Sequence, residues 1–563
     1  MIASIPPGLI MIVGAVLVPF LPSRVRGAYM LALPLIGIWQ LFSLDPGSYG
    51  QMSLFGFDLV HVRIDKLSIV FGVIFYIAAI LGIIYALHND DRTEQTASLA
   101  YMGAAIGATF AGDLITLFVY WEMTAVTSVF IVWAGKTERS YQAGMRYLII
   151  QVLSGVLLAA GAVVLARETG SFAFDFIGIE SLGGWLILAA FGIKCAFPLL
   201  HNWLQDSYPE ASPTGTVFLS AFTTKLAVYA LARGYPGTEM LIWIGIFMSA
   251  WPIFFAIIEN DLRRVLAYSL NNQLGFMVAG VGIGTELAIN GAAGHAFAHI
   301  LYKALLLMSM GAVLHRTGTA KGSELGGLYR TMPWTTGFCV VGAAAASAFP
   351  LFSGFVTKTM ILTAAAAEGH LVPYLVLLFS SAAVFYHSGI KIPYFAFFAH
   401  DSGKRPGEAP PNMLVAMGIA AALCVGIGVY PDPLYAMLPF PVTYVPYTTD
   451  HVVSDLQLLM FSALAFAVLQ RTGLYPKELR STVLDFDWVY RRLGRDWTVF
   501  LAERTSNALK TIYADFGGML NRVIDAVFHY HGPKGLLART QEIGQATLVI
   551  TVVLAIFLTA FYL

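Results

Sequence analysis

Charge is the scarce ingredient of this 563-residue chain. Asp, Glu, Lys and Arg make up 12% of it, against about 25% in an average soluble domain. Hydrophobic residues reach 58% and mean hydropathy is +0.72, so lipid is the solvent for most of the chain. The 33 basic and 33 acidic residues cancel, which leaves no basic excess for a nucleic-acid partner. Cysteine is equally scarce. Cys195, Cys339 and Cys424 stand far apart in apolar segments, without a CxxC or a Cys/His cluster. That pattern argues against a disulfide framework, an iron–sulfur cluster and a zinc site. No glycine fingerprint for a nucleotide stands out, because the 53 glycines are scattered through apolar runs, where transmembrane helices commonly hold them. Neither a cofactor nor a metal is expected. The first residues also lack the basic start of a cleaved signal; Arg24 and Arg26 follow the apolar stretch, so it reads as a retained span.

What is present is a long series of apolar runs. A spanning helix needs about 20 mostly apolar residues. By that rule spans fall near 8–22, 27–44, 67–88, 96–111, 113–134, 144–166, 183–204 and 213–233. Further spans fall near 240–258, 263–283, 288–314, 334–367, 371–399, 411–430 and 455–470, with a last one at 545–562. The fold class is therefore an all-α polytopic membrane protein. The long stretch at 334–367 contains Pro350 and reads as two pieces. Basic residues crowd the loops after odd-numbered spans: Arg24, Arg92, Lys136, Arg263, Arg316 and Lys404 are examples. Those loops are expected on the cytoplasmic side of a plasma membrane, with the N-terminus outside. The segment 471–544 carries eleven of the 33 Lys and Arg and falls on the same side. Its apolar residues Trp497, Phe500, Leu501, Leu509 and Ile512 recur at helical spacing, as in an amphipathic helix along a membrane or neighbouring helices. A solvated helical linker is the simpler alternative.

One short repeat is visible. Ala196–Leu199 and Ala348–Leu351 both read AFPL, each inside an apolar run with a lysine nearby, Lys194 and Lys358. Four common residues are a weak match alone, but the context is shared. A proline within a helix removes a backbone hydrogen bond, which lipid tolerates only where protein or water satisfies the freed carbonyls. Paired broken helices in two halves are a pattern of transporters built from repeats.

Charge inside the spans is the informative signal. Glu122, Lys194, Lys225, Lys303, Lys358 and Lys391 all fall within apolar runs. Left isolated they would cost on the order of 15 kcal/mol together, so they must face the interior, pair, or line hydrated cavities. Glu122 is either a structural partner for a lysine or a proton-relay carboxylate, and the two roles overlap. A relay lysine needs a dry environment or a moving carboxylate to loosen its proton at neutral pH; Lys194, Lys225 and Lys358 have the apolar flanks for that. Lys391 is nearer a snorkelling position. His295, His299 and Lys303 lie at i, i+4 and i+8, one stripe of a helix. Two histidines at that spacing suggest a metal, but no HExxH-type third ligand follows and the lysine would repel a cation. A proton path through imidazoles is the better reading.

Together these stretches resemble the antiporter-like subunits shared by respiratory complex I and Mrp-type cation/proton antiporters. The carrying residues are YWEMTAVTSVFIV around Glu122, the run from Gly192 to Arg233, NDLRRVLAYSLNNQLGFM from Asn260, GHAFAHILYKALLL from Gly294, and FPLFSGFVTKTMIL from Phe349. The resemblance implies about fourteen core helices in two inverted five-helix repeats, each with a broken helix, here at Pro198 and Pro350. The implied divisions are 1–94, repeats at 95–235 and 236–400, core helices at 401–470, the polar segment 471–544 and a final helix at 545–563. It also implies a proton-handling pair, Glu122 and Lys194, linked through Lys225 and the His295/His299/Lys303 stripe to Lys358. Some family members carry glutamate at the Lys358 position. Phenylalanine replaces the first of a usual proline pair in AFPLFSGF, and Lys391 stands where many relatives have arginine.

Within the family the chain looks most like the D-type component of an Mrp-type Na⁺/H⁺ antiporter, a transporter subunit rather than an enzyme. It would work with other membrane subunits, protons and Na⁺. Its C-terminal extension instead resembles a shortened lateral helix of the distal complex I subunit. The alternatives are a proton-pumping member of a complex I-like or other redox-linked assembly, a membrane scaffold whose charges are structural, and a partner of ion-coupled bicarbonate uptake.

Overall fold

The computed structural model describes residues 5–54, 56–476, 478–479, 483 and 485–562; Lys477 and Arg480 of the orientation count lie outside the described residues. The chain divides into two units, Met1–Asp485 and Phe486–Leu563. The first begins with α1 (Leu9–Ala15) and α2 (Ser23–Phe42), followed by β1 (Gly47–Leu54) and β2 (Phe57–Ile64). Then come α3 (Lys66–Ala86), α4 (Arg92–Thr109), α5 (Leu114–Trp133), α6 (Glu138–Thr169), α7 (Leu182–Lys194), α8 (Asn202–Ser207), α9 (Gly215–Ala221) and α10 (Thr223–Gly234). The next group is α11 (Glu239–Ile258), α12 (Leu262–Ile283), α13 (Glu286–Thr317), α14 (Pro333–Ala346), α15 (Ser353–Ala367) and α16 (Leu371–Val384). A short α17 (Lys391–Pro393) sits between two π-helical turns, Phe385–Ile390 and Tyr394–Phe398. The unit closes with α18 (Pro411–Val429), α19 (Asp432–Met437) and α20 (Thr449–Thr472). The second unit holds α21 (Arg495–His531) and α22 (Ile543–Tyr562).

All sixteen sequence-predicted segments fall on helix, and eleven helices among the described residues are long and apolar enough to cross a membrane. The difference has physical causes. The segments at 8–22, 183–204 and 334–367 are broken into shorter helices. Helix α4 is polar in its first turns, and α12 buries Asn271, Asn272 and Gln273. The protein is an all-α polytopic membrane protein with one addition that hydropathy did not reveal. Strands β1 and β2 form an antiparallel hairpin, Gly47 opposite Ile64 through Leu54 opposite Phe57. It docks by backbone bonds from Arg63 N–H to Phe110 O (2.7 Å) and from Gly112 N–H to Val60 O (3.0 Å).

The internal repeat is far longer than AFPL. Asp113 caps α5 and Asp261 caps α12 with their side chains. Leu114 N–H bonds Phe172 O (2.8 Å) and Phe174 N–H bonds Gly112 O (3.0 Å); at constant chain spacing, Leu262 N–H bonds Ala320 O (2.9 Å) and Gly322 N–H bonds Asn260 O (2.8 Å). Between those bridges, α6 and α13 each run 32 residues, from an N-capping threonine (Thr137, Thr285) to a left-handed glycine (Gly170, Gly318).

The two AFPL motifs are the breaks themselves. Ala196 and Leu199 have φ of 60° and 70°; Ala348 and Leu351 have 59° and 73°. Left-handed backbone costs a non-glycine residue roughly 1–2 kcal/mol, so the same strain is built twice. In each break a phenylalanine N–H closes the helix end by reaching back five residues: Phe197 to Gly192 O (2.9 Å) and Phe349 to Ala344 O (3.0 Å). That is the outer bond of a Schellman-type ending.

A third break, unmarked by proline, separates α9 from α10 at Phe222. The freed Thr223 N–H donates to the Tyr101 hydroxyl (3.0 Å), which also bonds Thr223 Oγ1 (2.6 Å). The span expected near 213–233 is present as Gly215–Gly234, with this break inside it.

Candidate functional site

Glu122 projects from α5 against Gly155 of α6. A Cβ at position 155 would meet the Glu122 carboxylate, so any larger residue there makes this side chain move. Oε1 is buried and has no hydrogen-bond partner among the described residues. Lys194, the last residue of α7, is fully buried. Its ammonium donates to Trp121 O and Thr124 Oγ1, both at 2.6 Å, and lies 4.5 Å from the centre of the Trp121 ring. Lys194 thus grips the turn of α5 that carries Glu122 without an ion pair to it. Ser154 locks the three helices, accepting from Trp121 Nε1 (2.9 Å) and donating to Ala190 O (2.7 Å).

Lys225 follows the third break and donates to Ser220 O at 2.7 Å. A cation there satisfies a carbonyl at the C-terminal end of α9, where the helix dipole favours positive charge.

The α13 stripe is assembled as its spacing predicted. His295 joins three helices: Nε2 meets Gln273 Oε1 of α12 (3.0 Å) and Nδ1 meets Thr357 Oγ1 of α15 (3.1 Å). Tyr302 donates to the same Gln273 oxygen at 3.0 Å. His299 is fully buried, and neither ring nitrogen has a hydrogen-bond partner among the described residues. Its ring lies 5.2 Å from Tyr302 and 6.3 Å from His295, within electrostatic reach of Lys225, Lys303 and Lys358. Lys303 donates to Ser269 Oγ at 2.8 Å. Lys358, one residue beyond the Thr357 that holds His295, donates to Ala346 O (3.3 Å) and Ser381 Oγ (3.5 Å) and lies 5.2 Å from the Phe276 ring centre.

The repeat explains how these groups alternate. At its constant spacing, Glu122 corresponds to Leu270, Gly155 to Lys303 and Gln151 to His299. Gln151 is also fully buried, and its amide has no hydrogen-bond partner among the described residues. One half thus places a carboxylate on α5 against glycine; the other places a lysine on α13 at the glycine's position.

Three acidic groups escaped the sequence reading. Asp455 of α20 feels the charge of Lys358, and its Oδ2 is buried without a hydrogen-bond partner among the described residues. Glu478 pairs with Lys391 at 3.0 Å. Asp485 pairs with His201 at 2.8 Å. Lys391 is no snorkel: it is fully buried and caps the end of α11, donating to Ile257 O and Glu259 O at 2.7 Å. Asp455 was at the edge of a predicted span, while Glu478 and Asp485 sit in a polar stretch where acids are ordinary. Only the contacts of Glu478 with buried Lys391 and of Asp485 with buried His201 set them apart.

Residues 111–385 match the family model described as NADH:quinone oxidoreductase/Mrp antiporter, TM. This segment, just under half of the chain, is similar to that antiporter-like family. The probable K(+)/H(+) antiporter A/B subunit of Rhizobium meliloti (strain 1021) is 28% identical over 466 residues, 74% of this chain and 46% of that protein. The Na(+)/H(+) antiporter A1 subunit of Staphylococcus aureus (strain bovine RF122 / ET3-1) is 27% identical over 551 residues, 87% of this chain and 68% of that protein. The chain therefore spans about half to two thirds of the length of these relatives, and they are A-type components where the sequence suggested D-type. Two solved structures share the fold. A chain of the membrane-bound sulfane sulfur reductase, an archaeal respiratory membrane complex, matches with a TM-score of 0.71 and 22% identity, covering 98% of this chain and 99% of that one. A chain of the Mrp complex from Dietzia sp. DQ12-45-1b matches with a TM-score of 0.67 and 19% identity, covering 82% and 98%.

Proposed function

We propose that this chain is a proton-translocating subunit of a multisubunit monovalent cation/proton antiporter in the plasma membrane. The observation that carries the reading is the run of ionisable groups at helix breaks and facing helices: half-buried Glu122 and buried Lys194, Lys225, His295, His299, Lys303 and Lys358. Protons step along this axis, each charged lysine loosening the proton on the next by repulsion. The relatives named as K(+)/H(+) and Na(+)/H(+) antiporter components support cation exchange, with Na⁺ or K⁺ carried by the whole assembly. The functional repeats are 95–235 and 236–400, and the chain's place in the assembly is A-like or D-like. The N-terminus lies outside.

The near-complete coverage of a chain from a respiratory membrane complex favours a second reading. In it the same proton path is driven by a redox partner, and the region of α21 and α22 belongs to that kind of assembly. Membrane vesicles separate the two. Cation-induced pH change that is lost in Lys194→Ala and Glu122→Ala supports antiport. Unaltered antiport in both variants removes the relay. Copurification with quinone-reducing and iron–sulfur subunits moves the chain to the redox assembly.

A further inference from the structure

A second set of buried polar groups lies between Lys303 and the end of α11, outside the axis above; hydrogen bonds join His387 to Lys303, and one helical turn separates His387 from Lys391. Lys391 caps the last carbonyls of α11 and pairs with Glu478, whose other oxygen, Oε2, is buried without a hydrogen-bond partner among the described residues. One turn before Lys391, His387 lies in the π-helical turn Phe385–Ile390, and π-turns recur at functional sites because they re-aim side chains. Its Nε2 is buried with no hydrogen-bond partner among the described residues, while Nδ1 meets Ser388 Oγ at 3.0 Å. Ser388 donates to Ser269 Oγ at 2.7 Å, and Ser269 accepts from Lys303 at 2.8 Å. His387, Ser388, Ser269, Lys303 and Lys391 are all fully or almost fully buried.

We propose that Glu478, Lys391, His387, Ser388 and Ser269 form a side branch that carries protons between the α11–α12 end of the bundle and Lys303. The proposal rests on the proton-relay reading above. On the expected orientation this end faces the cytoplasm. A proton bound by the Glu478 carboxylate passes to the Lys391 amine, and from that ammonium, across one helical turn, to His387 Nε2. The ring releases the proton on Nδ1 to Ser388 Oγ. Each serine hydroxyl accepts one proton and gives up its own, and the last arrives on neutral Lys303. Histidine suits the middle of the string because its two nitrogens can take and give a proton on opposite sides. Hydroxyls can rotate between donor and acceptor roles, so the string serves either direction. Lys303 then becomes a junction between the central axis and the branch. Lys391 keeps its structural role as a cap.

The test uses the full chain in its native assembly in membrane vesicles, with pH-dye readout of proton flux and native-gel readout of assembly. Ser388→Ala deletes one hydroxyl, His387→Gln keeps hydrogen bonding without a titratable ring, and Ser388→Thr restores the hydroxyl. The branch predicts that Ser388→Ala and His387→Gln lower flux by roughly tenfold or more in fully assembled complexes, and that Ser388→Thr recovers most of it. A packing role predicts the reverse order, with alanine tolerated and threonine harmful, and that order overturns the branch. Normal flux in Ser388→Ala and His387→Gln, with flux abolished in Lys194→Ala, removes the branch and leaves the axis. Normal flux in Lys194→Ala as well removes the reading on which the branch rests. If His387→Gln does not assemble, the alanine–threonine pair decides alone.

Discussion

A methyl group at position 155 would occupy the space of the Glu122 carboxylate. Gly155→Ala gains helix propensity of about 1 kcal/mol, yet the overpacking costs roughly 1–3 kcal/mol and displaces the Glu122 carboxylate, whose charge reaches Lys194. The expected outcome is an assembly with a lower melting temperature and no proton flux. Gly155→Ala with Glu122→Ala should regain the stability, because the clash is gone, and still lack flux. A Gly155→Ala protein with normal flux would mean that Glu122 tolerates another position. The residues that stood out in the sequence are those whose burial is expensive. Lysine, histidine and glutamate in apolar runs announce themselves through that cost. Their neutral partners, Ser269, Ser388, Gln273 and Thr357, carry no such signal, because serine and threonine sit in membrane helices without penalty and only their distances reveal them. Gly155 was equally silent, one of many glycines in apolar runs.

Broken helices order the site at the scale of elements, and each break has its own test. Ala348 holds left-handed backbone at φ 59°. Glycine relieves that strain, while a β-branched residue is a genuine outlier there. Ala348→Gly should therefore assemble and transport normally, and Ala348→Val should lower the melting temperature of the purified complex. Equal behaviour of the two would show that the break relaxes without cost. The third break depends on Tyr101. Tyr101→Phe removes the acceptor of the Thr223 N–H and leaves a buried donor unpaired, which costs about 1–3 kcal/mol. Thermal unfolding should detect it, and faster amide exchange at Thr223 should accompany it. Proline made two of these breaks legible in advance. The third has no proline and rests on a hydroxyl from a helix over a hundred residues away, which no local pattern encodes. The repeat was legible only as AFPL because its halves keep caps, helix lengths and break dihedrals while exchanging side chains: Glu122 becomes Leu270 and Gly155 becomes Lys303. The β1–β2 hairpin was invisible for a simpler reason, since two eight-residue strands inside an interspan loop leave no mark on hydropathy.

Viewed as a whole molecule, the direction of transport depends on which end of the bundle faces the cytoplasm. The end carrying Lys391 and Glu478 is also the end from which α12 starts, with Arg263 and Arg264 in its first turn, and basic residues favour the inside. The opposite end carries Glu286 and Glu368, which line a cavity of about 380 Å³ with Tyr444. Between the loops at Glu368 and Gly407 lies one helical stretch long and apolar enough to cross, Leu371–Phe398. The three native cysteines are fully buried and should not react with a membrane-impermeant maleimide, so single introduced cysteines report their own side. Glu368→Cys should label in intact cells, and Gly407→Cys, where an added side chain meets nothing within 4 Å, should label only after permeabilisation. The reverse pattern would invert the molecule and turn the Glu478 branch into an outward-facing path. Labelling of both from one side would mean that Leu371–Phe398 does not cross. The relay could then not be ordered from one face to the other through Lys358 and Lys303, because the helix bearing Ser381, a hydrogen-bond partner of Lys358, would enter and leave on the same side.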